Sequence, residues 1–144
     1  MNIKKLLRTK GADVETVLPA TPVLDAVRVL SGRNIGLLVV CDADRRVAGV
    51  FSERDLARAL AVHGAQVLAK PVADIMTRDV SVCRISDDME DVMDAMAKGR
   101  FRHMPVVHAG KLAGIVSSTD ILNYLSEHAS SEERLLFLSK IVWI

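Results

Sequence analysis

Two short segments of the chain place a serine hydroxyl three positions before a carboxylate, where an apolar run changes to a polar one. The first is GVFSERD, with Ser52 and Asp55, and the second is GIVSSTD, with Ser117 and Asp120. One interpretation is a capping box, in which the serine and the aspartate satisfy the first backbone groups of a helix. The other is a nucleotide site, in which the helix N-terminus and the hydroxyl donate to phosphate while the aspartate accepts from ribose hydroxyls. The spacing leaves both interpretations open.

A basic pair stands directly before the apolar stretch MPVV: Arg102 followed by His103. Arginine binds phosphate through paired hydrogen bonds, so two cations at the mouth of a strand predict a phosphate contact. A solvated pair at a strand end is the alternative. The matching stretch earlier in the chain is GLLV, so we expect any cationic phosphate clamp to differ between the two places.

Most of the chain consists of one period of about 66 residues, used twice. GRNIGLLVVC is repeated as GRFRHMPVVH, and VAGVFSERDL is repeated as LAGIVSSTDI. The spacing differs by two residues between these blocks, where DADRR in the first copy is longer than AGK in the second. Such length changes are typical of surface turns.

Each copy has the pattern of a short strand, an amphipathic helix, a hairpin of two strands and a second helix. We expect Thr21 to cap the first helix of copy one, with Pro22 at its first position, and Ser86 to cap that of copy two. The other predicted elements are strands at 15–18 and 80–84, second helices at 53–60 and 119–125, and a short N-terminal helix at 3–8.

The predicted fold class is α/β (α+β), with two tandem β-α-β-β-α repeats packed about a pseudo-two-fold axis. A copy of about 55 residues is small for an independent core, so the pair is expected to form one module. The predicted division is 1–66 for the first repeat with the N-terminal helix, 67–128 for the second repeat, and 129–144 for a tail helix. In the tail we expect Leu135, Leu136, Leu138 and Trp143 to pack on the body or on a partner subunit.

Composition argues against several functions. The 144 residues carry 19 Lys and Arg against 18 Asp and Glu, and only 3% are aromatic. This balance argues against a general nucleic-acid binder, and the chain lacks stacking platforms for single strands. No apolar run approaches the roughly 20 residues of a membrane span. Cys41 and Cys83 are expected to be small buried hydrophobes in a cytoplasmic protein.

The same survey finds little catalytic chemistry. The four histidines lack metal-ligand spacing, and no nucleophile stands beside a base, so we expect neither a metal site nor an enzyme.

The repeated β-α-β-β-α order, the closing G-h-h-S-x-x-D segments (h, hydrophobic) and the RHMPVV strand resemble the cystathionine β-synthase (CBS) domain family. The resemblance covers about residues 8–62 and 74–127. It implies a stand-alone CBS pair that is regulatory rather than catalytic, forms a homodimer through its helices and modulates a partner protein. It also implies an adenosine ligand between the repeats, with no obligatory cofactor: AMP, ADP or ATP first, with NAD(H) or S-adenosylmethionine as alternatives.

The resemblance also assigns residues. In the second site Asp120 would hold the ribose, and Ser117 and Thr119 would meet ribose or phosphate. Arg102 and His103 would contact phosphate. The adenine would be lined by Thr77, Ser81, Val82, Met104 and Pro105. In the first site Asp55 would hold the ribose, Ser52 would meet phosphate or ribose, and Arg54 would reach phosphate. The lining of that site would be Thr16, Val17, Leu37 and Leu38. The first repeat departs from the pattern, with Arg8 or Thr9 near the place of Thr77. A ligand-free, self-associating scaffold, in which the serine–aspartate pairs only cap helices, is the alternative function.

Overall fold

The computed structural model describes residues 1–141, and that part of the chain contains six α-helices and six β-strands. In chain order the elements are α1 Ile3–Lys10, β1 Thr16–Val17, α2 Val23–Arg33, β2 Leu37–Cys41, β3 Val47–Ser52, α3 Glu53–His63, the 3₁₀ turns Ala65–Ala69 and Val72–Asp74, β4 Cys83–Arg84, α4 Met89–Gly99, β5 His103–His108, β6 Lys111–Ser117, α5 Ser118–His128 and α6 Ser131–Ile141. The predicted β-α-β-β-α order is therefore present twice, in a mixed α+β fold.

The elements form two compact units. The first unit is Val14–Val80, and the second unit joins Met1–Asp13 to the chain from Ser81 onward. Each unit contains one three-stranded sheet, in the orders β1-β2-β3 and β4-β5-β6. In both sheets the first pair of strands is parallel and the second pair is antiparallel.

The two sheets also share their register. Leu37 pairs with Ser52 in the first sheet, and His103 pairs with Ser117 in the second. Both hairpins contain a register shift at equivalent places, after Val40 and after Val106. The repeat seen in the sequence is therefore a repeat of backbone hydrogen bonding, and it brings each serine to the same end of its sheet.

The segment that leads into each repeat packs with the other repeat. In α1, Ile3, Leu6 and Leu7 are apolar at helical spacing and all belong to the core of the second unit. Conversely, Val72 and Met76, which precede the second repeat, belong to the core of the first unit. The predicted grouping of the N-terminal helix with residues up to 66 therefore differs from the compact units. Local repeat boundaries do not reveal which core a leading segment fills.

The cores are aliphatic and rich in methionine. Met89, Met93 and Met96 follow one face of α4 and are completely buried, as their helical spacing predicts. Cys41 and Cys83 are free thiols, and both are buried as predicted. Burial, together with the nearby charge of Asp87, raises the pKa of Cys83 to about 12.

Two predicted helix caps are displaced. Pro22 itself is the N-cap of α2, and the Thr21 hydroxyl instead accepts a hydrogen bond from the Leu18 amide. Asp88, not Ser86, is the N-cap of α4, and it makes no side-chain capping bond. The second helices, α3 and α5, each extend three residues beyond the predicted end.

The tail forms α6, but its buried face differs from the predicted one. Phe137 is buried, whereas Leu135, Leu136 and Leu138 are exposed. The fourth predicted residue, Trp143, lies outside the described residues. Polar contacts also fix this helix, because Lys140 Nζ lies 2.6 Å from Asp94 Oδ1. The remaining expectation for the three leucines, contact with a partner subunit, stays a prediction.

Across residues 1–141, no helix combines the length and the apolar character that a membrane crossing requires.

Candidate functional site

Both serine–aspartate pairs form complete capping boxes. Ser52 Oγ accepts from the Asp55 amide at 3.2 Å, and Asp55 Oδ2 accepts from the Ser52 amide at 2.9 Å. The second pair repeats this geometry, at 3.0 Å for Ser117 Oγ and 2.9 Å for Asp120 Oδ2. The strand therefore passes directly into the helix, and each aspartate is fixed one turn inside it. The capping interpretation is confirmed at both places.

The helix N-termini offer fewer donors than the sequence suggested. The Glu53 amide donates to the Gly36 carbonyl, and the Ser118 amide donates to the Arg102 carbonyl. With the aspartate amides donating to the serines, two of the first three N–H groups of α3 and of α5 are engaged. Recognition of an anion therefore falls mainly to side chains.

Asp55 lies in a closed hydrogen-bond network. It is only 7% exposed. Its Oδ1 accepts from Thr77 Oγ1 at 2.9 Å, and its Oδ2 accepts from both the amide and the hydroxyl of Ser52. The Thr77 backbone also exchanges two hydrogen bonds with Val50. This approach requires a glycine at position 49, because a Cβ there would lie 2.5 Å from the Thr77 carbonyl oxygen. Thr77, which the sequence grouped with the second repeat, is thus bound to the aspartate of the first.

Asp120 has a more open environment and a different partner. Its side chain is 26% exposed. Its Oδ2 accepts from Lys10 Nζ at 2.8 Å as well as from the Ser117 amide. The same ammonium donates to the Ile115 carbonyl at 2.6 Å. Sequence comparison expected Arg8 or Thr9 near this place and missed Lys10. The sequence feature that could have pointed to Lys10 is its place as the last residue of α1, directly before Gly11.

The surroundings of Asp120 shift two pKa values. Burial raises the pKa of Asp120, but hydrogen bonds from Lys10 and Ser117 and the lysine charge outweigh it, so the net shift is downward. The pKa of His103 is lowered, first by burial and then by the charges of Lys10 and Arg102, against an opposing effect of Asp120. His103 is therefore neutral at pH 7. The expected pair of cations is reduced to Arg102, with His103 as a neutral hydrogen-bonding group.

Each aspartate borders a cavity within its own unit. The first has a volume of about 310 Å³ and the second about 110 Å³. The residues that α3 and α5 contribute stand 65 positions apart in the sequence, so the cavities occupy equivalent places. Those lining the first are Asp55, Arg58, Ala59, Val62, His63, Asp74 and Ile75, and those lining the second are Leu6, Thr9, Lys10, Asp120, Asn123, Tyr124 and Glu127.

The remaining predicted site residues differ in accessibility. Leu38, Met104 and Pro105 are buried in the sheets, which argues against side-chain contact with a ligand. Thr16, Val17 and Leu37 are partly buried on β1 and β2, whereas Arg54, Ser81, Val82, Arg102 and Thr119 are exposed. The structure thus brings together Ser117, Asp120, His103 and Arg102 in the second unit, and Ser52, Asp55 and Thr77 in the first. Ligand contact by each of these residues stays a prediction.

Comparisons with known proteins give a consistent result. The model of the CBS domain matches residues 3–62 and 72–127. An uncharacterized 17.7 kDa protein of Acidianus ambivalens is 34% identical over 122 residues, which is 84% of this chain and 73% of that protein. In several longer curated relatives the match covers only 33–36% of the protein, so the chain spans about a third of their length.

Solved structures agree with this assignment. The CBS-domain containing protein ATU1752 from Agrobacterium tumefaciens has a TM-score of 0.79 and 42% identity, and the match covers 86% of this chain and 98% of that one. The CBS domain pair of protein MJ0100, solved with 5′-methylthioadenosine and S-adenosyl-L-methionine, has a TM-score of 0.75 and 26% identity, with 88% and 97% covered. Two family matches in tandem, on a fold shared with solved CBS pairs, show that this chain belongs to the CBS domain family as a CBS pair.

Proposed function

We propose that this chain is a regulatory module that binds an adenosine nucleotide at its second repeat, where Asp120 accepts hydrogen bonds from the ribose hydroxyls. The contrast between the two aspartates supports this most. Both aspartates border a cavity, but the Asp120 side chain is 26% exposed, whereas Asp55 is a buried residue with hydrogen bonds at both oxygens. A ligand reaches Asp120 by displacing one ammonium, whereas at Asp55 it has to displace the Thr77 hydroxyl, whose backbone is held by two hydrogen bonds to Val50.

The ligand class follows from the chemistry around Asp120 and from a relative. A carboxylate suits a pair of ribose hydroxyls, and the exposed guanidinium of Arg102 suits phosphate. The MJ0100 pair was solved with two adenosine-derived ligands. We therefore propose AMP, ADP or ATP as the ligand, with NAD(H) and S-adenosylmethionine as the alternatives to test beside them.

Calorimetric titration of nucleotide-stripped protein with AMP, ATP, NADH and S-adenosylmethionine tests this proposal. We expect one adenosine nucleotide to bind and Asp120→Asn to weaken it by at least about tenfold, the effect of roughly 1.4 kcal/mol. The matched control is Asp55→Asn, which removes the same charge from the other capping box. It is expected to lower the free energy of unfolding by about 1–3 kcal/mol, because buried donors lose their acceptor, while nucleotide affinity stays near wild type. Loss of binding in Asp55→Asn alone would contradict the assignment of the site.

The second candidate function is a ligand-free scaffold, and the two complete capping boxes favour it. Under this function Asp120→Asn costs about 0.5–2 kcal/mol of stability, as a lost cap does. None of the four ligands would then bind the wild-type protein, which separates the two functions in the same titration.

Self-association and signalling to a partner protein are part of the proposal. Leu60 on α3 remains exposed, which supports a homodimer through this helix. The equivalent helix, α5, offers less support for a homodimer, because Ile121 and Leu125 are buried within the chain. Light scattering is expected to give twice the 15.7 kDa chain mass, and Leu60→Asp is expected to reduce it to one chain. A monomeric wild-type protein at micromolar concentration would contradict the dimer. The cytoplasmic location also stays a prediction.

A further inference from the structure

We propose that Lys10 makes the second-repeat site selective for ligands that carry phosphate: ribose hydroxyls displace its ammonium from Asp120, and the freed ammonium pairs with the phosphate. This inference rests on the proposed function, since it requires a nucleoside at Asp120. It assigns a specificity role to a residue of the N-terminal helix that lies outside both serine–aspartate motifs.

Lys10 replaces two separate donors of the first repeat. There, the Thr77 amide donates to the Val50 carbonyl, and the Thr77 hydroxyl donates to Asp55. In the second repeat, the equivalent acceptors are the Ile115 carbonyl and Asp120, each 65 positions further along. One lysine ammonium donates to both of them, at 2.6 and 2.8 Å. The two repeats therefore have the same pair of acceptors and differ in the group that satisfies them.

Because Lys10 stands where the first repeat has Thr77, freeing the aspartate for a ligand has a different consequence in the second repeat. Thr77 is neutral and is held through its backbone, so it has little freedom to move away from Asp55. Lys10 carries a charge on a flexible four-carbon stem, so its ammonium is able to leave Asp120 while the helix stays in place. Its side chain is only 24% exposed, and separating a partly buried ion pair is unfavourable unless a new partner appears. A ligand phosphate supplies that partner, whereas a neutral nucleoside does not.

The size of the cavity beside Asp120 also supports movement of Lys10 on ligand binding. Its volume is about 110 Å³, and small-molecule pockets range from about 300 to 1,000 Å³. Lys10 and Asp120 both line it, so movement of the lysine side chain enlarges the space next to the carboxylate. Glu127 also lines this cavity and opposes an anion. A phosphate therefore requires a nearby cation, and Lys10 is placed to provide it.

The test compares AMP with adenosine, which differ only in the phosphate group. Calorimetry with the full chain measures both affinities in the wild type, in Lys10→Met and in the control Lys5→Met, which removes the same charge from an exposed position of α1. We expect the wild type and Lys5→Met to prefer AMP by at least about tenfold. Lys10→Met is expected to lose most of that preference, with adenosine binding equal to wild type or tighter because Asp120 is no longer occupied.

Two further variants keep the test decisive. Lys10→Gln retains hydrogen-bond donors for Ile115 and Asp120 without the charge, so it covers the case in which Lys10→Met does not fold. Lys10→Arg retains the charge and is expected to keep the AMP preference. An unchanged AMP-to-adenosine ratio in folded Lys10→Met or Lys10→Gln would overturn the inference and leave the proposed function standing. A wild-type protein that binds neither AMP nor adenosine would overturn the nucleotide site itself, and the role of Lys10 with it.

Discussion

At the scale of single residues, identical motifs have acquired different environments. Asp55 and Asp120 occupy the same position of the same capping box. A threonine closes the first aspartate and a lysine covers the second. The motif fixes where each carboxylate lies, but the residue that arrives from the leading segment decides whether it is accessible. For this reason we place ligand binding at Asp120 and a structural role at Asp55.

The lowered pKa of His103 predicts a pH dependence of stability. Below its ordinary pKa of 6.5, the unfolded chain binds a proton that the folded chain binds only at lower pH. Stability therefore falls as the pH decreases from 6.5 through the folded pKa. His103→Gln is expected to flatten this part of the curve, measured as the urea midpoint between about pH 7 and pH 5.

The pH measurement needs a control variant and a pH range that excludes the titration of Asp120. His108→Gln is a suitable control, because it replaces a histidine at the opposite end of the same strand. Asp120 acts at lower pH: its folded pKa is depressed, so its contribution is present above the unfolded value and is lost as the pH falls through the folded value. A curve for His103→Gln that parallels the wild type between pH 7 and pH 5 would show that burial of this imidazole has no effect on folding.

At the scale of elements, the leading segments are exchanged between the repeats. The α1 helix fills the core of the second unit, although more than 70 residues separate it from β4. Val72 and Met76 do the same for the first unit. Neither repeat is complete without a segment that a division by sequence similarity gives to the other.

This exchange predicts an unequal response to a mutation in α1. Leu6 is 1% exposed, so Leu6→Ala is expected to lower the free energy of unfolding by about 2–5 kcal/mol. Hydrogen exchange is expected to accelerate more in residues 81–141 than in residues 14–80, because Leu6 packs in the second unit.

The matched control is Leu135→Ala, because Leu135 is 67% exposed and its loss is expected to change stability by less than about 0.5 kcal/mol. Faster exchange confined to residues 14–80 in Leu6→Ala would show that α1 stabilises the repeat next to it in sequence instead.

The sequence predicted which helices and strands form more accurately than where they end and which residues they contact. The 66-residue period gave the β-α-β-β-α order twice, since hydrophobic period and turn residues are local signals. The capping boxes were also predictable, because serine and aspartate three positions apart interact within one turn. The N-caps at Thr21 and Ser86 were displaced by one or two residues, where several polar residues compete for the same position.

The remaining differences depend on contacts distant in sequence. Nothing local to Thr77 indicates Asp55 as its partner, and nothing local to Lys10 indicates Asp120, because 110 positions separate the lysine from the aspartate. The neutral state predicted for His103 likewise depends on burial and on two neighbouring cations. The tail differs from its predicted packing, because α6 buries Phe137 and leaves its three leucines exposed.

At the scale of the whole molecule, the chain is a CBS pair, and we propose different tasks for its two repeats. The first repeat has a buried aspartate, and the second has a partly exposed one bound to Lys10. In this proposal the second repeat binds the ligand and the first repeat supports the fold.

A crystal structure of the chain grown with AMP tests most directly whether the nucleotide binds at Asp120. We predict ribose hydroxyls within about 3.2 Å of the Asp120 carboxylate, with Lys10 Nζ moved from Asp120 to the phosphate and the Asp55–Thr77 bond intact. Density for AMP at Asp55, or no AMP with Lys10 still bound to Asp120 at saturating nucleotide, would contradict it.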